Sequence, residues 1–329
     1  MNTARRGNYG ADDDIVDYIL GITFEIWEEG GIELIHRYYA DDVIVFGLDN
    51  VLRGAAAMVD GTRAVLEAFP DRVLLGDDVI WSGSRTEGYY SSHRVVSPMT
   101  NTGPSAFGPA TNRNVTIMNI ADCIVEEGVI TGEWLMRDNG ALVRQLGFDV
   151  ADAARQIAAG RSDESREWIV RETERLRDAG LSALPDEPAA PALDAGMFAH
   201  HVIAALWSDG NGDVLERAYA PYAVLHRSPI ERYSGRAAVM THYASLRGAL
   251  APYGVSVDHV ATQPYGIDGM HVAVRWAVAG RHEGDYLGCA ASGKDVYVLG
   301  SSHFRIVADR IAVEWTVFDS AAVLSQMLE

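Results

Sequence analysis

The sequence predicts two copies of one α+β domain, each with helices packed on one face of a mainly antiparallel sheet, joined by a helical linker. Two observations carry this. First, the chain repeats itself at about half its length. Trp27, Gly30 and the Tyr39-Ala40 pair return as Trp207, Gly210 and Tyr219-Ala220, 180 positions on. Gly54, Ala56 and Ala57 return as Gly235, Ala237 and Ala238, and Glu133, Trp134, Asp138 and Gln145 return as Glu314, Trp315, Asp319 and Gln326, all at 181. A solenoid unit runs to roughly 20–50 residues, so so long a period means duplicated domains. Second, within each copy helical spacing comes first and strand alternation follows.

The elements follow in order. Asp12, Asp13 and Asp14 supply a cap and favourable charge for a helix with Ile15, Ile19, Ile22 and Ile26 on one face, ended by Gly30 and Gly31. A short helix carries Leu34, Ile35, Tyr38 and Tyr39, and 43–46 reads as a strand. Residues 54–69 are helical, with Met58, Val65 and Leu66 inward and Pro70 beyond the end. Strands are expected over 73–82, 87–97, 114–125 and 129–137, the last two joined as a hairpin at Glu127-Gly128. In the second copy, Asp194 precedes a helix with Phe198, Val202, Ala205 and Leu206, Tyr219 closes the next, and strands follow at 223–227, 255–262, 271–279, 294–307 and 311–318. Between the copies, 150–179 reads as one charged helix whose Trp168 is expected to pack across both, and 184–191 as a stiff Pro/Ala-rich tether. The expected boundaries are 11–149, 150–193 and 194–329.

Composition narrows the function. The chain has 329 residues, is 48% hydrophobic and carries a formal net charge of -19, with Lys294 its one lysine. That charge repels phosphate backbones, so nucleic acid is not an expected partner. One lysine leaves little scope for Schiff-base chemistry, and no nucleotide-cradling Gly-Lys-Ser/Thr loop is present. Cys123 and Cys289 stand alone, which suits a reducing compartment and neither a disulfide framework nor a zinc site. With no signal-peptide pattern in 1–14 and no apolar run of the ~20 residues a span needs, a cytoplasmic protein with no membrane association is expected.

The candidate chemistry lies on the terminal hairpins. Pairing about Asp309 puts His303 opposite Trp315 with Asp319 on the same face, and in the first copy Asp122 opposite Trp134 with Asp138. A carboxylate or imidazole against an indole has a shifted pKa, as proton transfer needs. Asp138 and Asp319 each precede a helical run and equally suit simple N-caps, and both tryptophans suit a core. His36 and His93 fall in the first copy, while the other eight histidines follow position 196. His226 stands where the first copy has Phe46, and His282 and His303 also lack histidine counterparts. This places the polar pocket in the second domain. No histidine shows ligand spacing, so no metal is expected.

The second copy then resembles a known family. Arg275, Trp276, Gly280, His282, Gly284, Tyr286 and Gly288, with Ser292-Gly293-Lys294, are similar to the middle strands of SnoaL-like polyketide cyclases. His303, Asp309, Glu314-Trp315, Asp319 and Gln326 resemble that family's closing hairpin and helix. Gly108 to Arg113, Glu133-Trp134, Asp138 and Gln145 match in the first copy. The resemblance implies the cone-shaped α+β barrel of the nuclear transport factor two-like superfamily. It also implies cofactor-free acid/base chemistry, such as aldol cyclisation, isomerisation, dehydration or hydrolysis, on an apolar carbonyl or hydroxy compound. By it, Asp319 or His303 moves the proton, with Asp138 and Asp122 as first-copy counterparts and His226 or His282 orienting an oxygen. Trp315, Tyr286, Trp207, Tyr219 and Glu314 are the expected pocket residues of the second copy, and Trp134, Trp27, Tyr39 and His93 those of the first. The tandem arrangement suggests an intrachain pseudo-dimer, open to further homo-oligomerisation. A non-catalytic ligand-binding or protein-interaction module of the same fold is the alternative.

Overall fold

A computed structural model describes residues 15–181, 184, 188–267 and 269–329. The Asp12 to Asp14 cap and residues 185–187 of the tether lie outside them. The first copy runs α1 (Ile15–Thr23), a π-helical turn (Phe24–Glu28), a 3-10 turn (Ile32–Leu34), α2 (Ile35–Tyr38), β1 (Tyr39–Phe46), β2 (Val51–Arg53), α3 (Ala55–Ala68), β3 (Leu75–Ser84), β4 (Gly88–Thr100), β5 (Asn114–Glu126), β6 (Val129–Arg137) and α4 (Asn139–Leu146). The linker holds α5 (Val150–Gly160) and α6 (Asp163–Ala179). The second copy runs α7 (Ala195–Leu206), α8 (Gly212–Ala218), β7 (Tyr219–Ser228), β8 (Glu231–Ser234), α9 (Arg236–Leu250), β9 (Pro252–Tyr265), β10 (Gly269–Arg281), β11 (Asp295–Val307), β12 (Arg310–Phe318) and α10 (Ser320–Leu328).

Each copy forms a six-stranded sheet, in the orders β2-β1-β6-β5-β4-β3 and β8-β7-β12-β11-β10-β9. The matching order is the duplication seen in three dimensions. All neighbours are antiparallel except β1 with β6 and β7 with β12. The β5–β6 hairpin turns at Glu127 (φ 51°) and Gly128 (φ 79°), and β11–β12 at Ala308 (φ 48°) and Asp309 (φ 58°). Two successive positive φ values match the strand twist in a two-residue turn. The expected register is present: Asp122 pairs with Trp134 and His303 with Trp315.

Three expectations change. The linker helix expected over 150–179 is two helices: Arg161 is extended (φ -65°, ψ 128°), and the Ser162 side chain caps α6 by accepting from Ser165 N. The edge strands β2 and β8 went unseen because three or four residues are too few to show a period. The strand expected at 43–46 begins at Tyr39. Trp168 of α6 does bridge the copies, with ring centroids 5.3 Å from Phe46 and 5.5 Å from Tyr297. No helix among the described residues is long and apolar enough to cross a membrane.

The sheets pack against each other through their outer faces, with approximate two-fold reciprocity. Arg94 of β4 lies 3.7 Å over the Trp315 ring, and Arg275 of β10 lies 3.5 Å over Trp134. Tyr90 stacks on His259 at 3.3 Å, and the exchanged positions hold a His271 Nδ1–Asp78 contact of 2.8 Å. At the end of the interface the helix caps cross over. Asp138 accepts from Ala141 N of its own helix and also from Ser320 N (3.1 Å) and Oγ (2.5 Å). Asp319 accepts from Ala321 N and Ala322 N of α10 and from Asn139 Nδ2 (2.6 Å) of the other copy.

Candidate active site in the first copy

A cavity of about 230 Å³ opens between the inner face of the first sheet and helices α1 and α3. Strand alternation builds its wall. On β6, Glu133, Leu135 and Arg137 face inward while Trp134 faces the other copy. On β5, Asn119, Ala121 and Cys123 face inward and Asp122 outward. Tyr39 arrives from β1, His93 from β4, Thr23 from α1 and Trp27 from the π-helical turn. The rest of the lining is mostly aliphatic, including Ile19, Ile22, Val45, Met58 and Ile130.

Four buried polar atoms on this wall have no protein partner: Glu133 Oε2, His93 Nε2, Asn119 Oδ1 and Arg137 Nε. Buried polar groups are nearly always hydrogen-bonded, and each orphan costs about 1–3 kcal/mol. Four of them stand around this one hollow. Burial raises the Glu133 carboxyl to about 7, opposed by a hydrogen bond from Tyr39 and reinforced by Asp122. Burial lowers the His93 imidazole to about 4, partly offset by Asp78, so it is neutral at pH 7. The Tyr39 hydroxyl is pushed well above its ordinary range by burial and by Glu133, and it stays a hydrogen-bond donor.

The equivalent space in the second copy is filled. Thr62, Val95, Asn119 and Arg137 of the first copy correspond, 181 positions on, to Tyr243, Trp276, Gly300 and Phe318. Trp207, Trp276, Tyr243 and Phe318 pack as one fully buried aromatic cluster. A Cβ on Gly300 would stand 2.3 Å from Trp276 Cζ2, so the indole needs glycine there. Glu314, the counterpart of Glu133, is 0% exposed and accepts from Tyr219 (2.6 Å), Tyr243 (2.5 Å) and Thr316 (2.6 Å). Its hydrogen bonds are taken up inside the protein.

The sequence-derived residues therefore divide. Trp27, Tyr39 and His93 line the first cavity. Trp207, Tyr219 and Glu314 belong to the solid second core. Trp134 and Trp315 lie under the interdomain arginines. His303, expected to move a proton in the second domain's pocket, is instead buried against the other copy, where its Nε2 meets Ser92 Oγ at 2.8 Å. Asp122 accepts from Tyr90 at 2.6 Å on that same outer face. Asp319 and Asp138 are N-caps, the second of the two roles open to them. His226 stacks on Trp315 (5.8 Å), as Phe46 stacks on Trp134. His282 is held in its loop by Ser292, and the Tyr286 hydroxyl donates to Ser320 O. The alternation was right and the choice of inner face was reversed. Each sheet is buried on both faces, one by its own helices and one by its sister, so hydrophobicity does not distinguish them. Glu133 is visible in the sequence as a repeated residue, but the parallel β1–β6 pairing, from which the Tyr39 side chain reaches its carboxyl, is not. Asn119, Arg137, Arg72, Thr23 and Cys123 gave no signal of their own.

The SnoaL-like polyketide cyclase family model matches residues 19–146 and 199–327. The chain belongs to that family, in tandem. No curated protein matches it. Among solved structures, TsrD from Streptomyces laurentii is 22% identical, covering 42% of this chain and 98% of its own (TM-score 0.36). A SnoaL-like polyketide cyclase from Agrobacterium tumefaciens is 18% identical, covering 41% and 100% (TM-score 0.35). IdmH from Streptomyces antibioticus is 20% identical, covering 41% and 99% (TM-score 0.36). Each of these three chains spans about one copy of the repeat.

Proposed function

We propose that the first copy's cavity carries out cofactor-independent acid/base chemistry on a small, largely apolar carbonyl or hydroxy compound, with Glu133 moving the proton. The observation that supports this most is the meeting of four unpartnered polar atoms with a carboxyl whose pKa lies near neutrality. Ionised Glu133 takes a proton from the carbon next to a carbonyl, and the Tyr39 hydroxyl steadies the carboxylate. His93, neutral and in its Nε2–H tautomer, donates to the oxygen on which charge develops, a role a charged imidazole could fill only at the cost of a buried cation. The aliphatic wall excludes water from the enolate. Returning the proton elsewhere gives isomerisation; attack on a second carbonyl of the same molecule gives ring closure.

The test uses 2-tetralone, an apolar enolisable ketone. Deuterium exchange at its α-carbon, followed by NMR in D₂O, is expected to run above the buffer rate. It should rise with pH through about 7 and fall about 10²–10⁴-fold in Glu133→Gln with binding retained. Binding of the ketone with no exchange above buffer would instead support a ligand-binding module.

A further inference from the structure

A second hollow, of about 150 Å³, lies beyond the first and shares Val65, Arg72 and Arg137 with it. The far lobe is apolar, walled by Phe69, Met99, Phe107, Ile117 and Leu142. The waist between the lobes thus carries two guanidinium groups. Arg137 shares Asp49 (3.2 Å) with Asn139, and its Nε has no partner. Arg72 donates through Nε to Ser97 Oγ (3.2 Å) and makes no ion pair among the described residues. Burial and the neighbouring Arg137 lower its pKa to about 10, with no acid opposing them, and it remains charged at neutral pH. Two cations against one carboxylate leave one positive charge, facing inward, in a chain of net charge -19. Both arginines are half-buried, and a surplus charge that lines a hollow is matched by an anion through charge-assisted hydrogen bonds.

The waist is also remote from the acid/base end. Glu133 and Arg137 are four residues apart on one strand, about 13 Å at 3.3 Å per residue. Neither arginine contributes to the shift of Glu133, whose carboxyl stays high.

We infer that the ligand of this cavity is a carboxylic acid, whose single negative charge seats between Arg72 and Arg137 while its apolar body reaches toward Glu133. This rests on the reading of the cavity as a ligand site and names the substrate class within it. A monoanion matches the surplus of one charge; a neutral ester or amide leaves it uncompensated.

The test is calorimetric binding of 4-phenylbutyrate, its methyl ester and its primary amide to the full chain at pH 7.5 and low salt. The acid is expected to bind about ten-fold tighter than the other two, the margin of a charge-assisted hydrogen-bond pair. Arg72→Gln should erase that preference while leaving ester affinity within about two-fold, and a matching melting temperature shows that the variant folds. Equal affinity of acid and ester for the unmodified protein overturns the inference without needing a variant, as does absence of saturable binding by all three. Glu133→Gln separates this from the catalytic reading. It should keep the acid preference intact, so tetralone exchange can fail while the preference stands, and the reverse.

Discussion

Glu133 and Glu314 stand at the same place in two copies of one domain, and burial pushes both carboxyls above the usual range. Around Glu314 three hydroxyls turn inward, and the aromatic rings of Trp276, Tyr243 and Phe318 fill the cone. Around Glu133 the corresponding positions hold Val95, Thr62 and Arg137, one tyrosine hydroxyl reaches the acid, and a hollow remains. One backbone thus serves two ends, a solid core or a buried acid beside a chamber, according to four side chains. A buried carboxyl is therefore not by itself a sign of chemistry; what separates the two is whether its oxygens are spoken for.

The largest effect should come from the paired carboxyls. Glu133→Gln is expected to cut tetralone exchange about 10²–10⁴-fold, whereas Glu314→Gln should leave exchange unchanged. The latter should lower stability by about 1–3 kcal/mol in urea unfolding, because an amide nitrogen would face hydroxyl donors. Equal losses of exchange would erase the functional contrast between the copies.

Next come the filling residues. Trp276→Val should cost about 3–5 kcal/mol, since the indole is fully buried. The reciprocal Val95→Trp with Asn119→Gly should abolish ligand binding in the first copy by closing it as the second is closed. Retained binding in that double variant would mean that the hollow does not depend on these positions.

A smaller effect follows from titration. The folded-state value of Glu133, about 7, lies above its ordinary 4.5, so between these the native protein holds more proton than the unfolded chain. Stability is lost as pH rises through that window. Relative to its value below pH 4.5, the stability of Glu133→Gln should gain on that of the parent by about 3 kcal/mol above pH 7, read by urea unfolding at pH 4, 6 and 8. A pH-independent difference would mean the acid is not held protonated.

The smallest effect concerns the reciprocal interface. Double-mutant cycles for Arg94 with Trp315 and Arg275 with Trp134 should each return a coupling of about 1–2 kcal/mol. Coupling in one pair alone would make the interface lopsided.

The duplication, the helix-then-strand order and the register of both hairpins were legible in the sequence, because repeats and period-two alternation leave local traces. The inner face was not. Asp122 and Glu133 are cross-strand near neighbours of the same charge, and only the sister sheet decides which of them meets a helix-walled hollow. The concentration of histidine after position 196 pointed to the second copy, yet His303 and His259 serve the packing between sheets. Absence of a cavity is likewise written at a distance: Gly300 looks unremarkable until Trp276 is seen to occupy the space its side chain would need.

The crossed helix caps have a consequence for inheritance. Each of Asp138 and Asp319 satisfies donors in its own helix and in its twin's, so neither half can be trimmed away without stranding carboxylates, amides and hydroxyls in the remainder. A half that has closed its chamber stays indispensable as the mould against which the open half is cast.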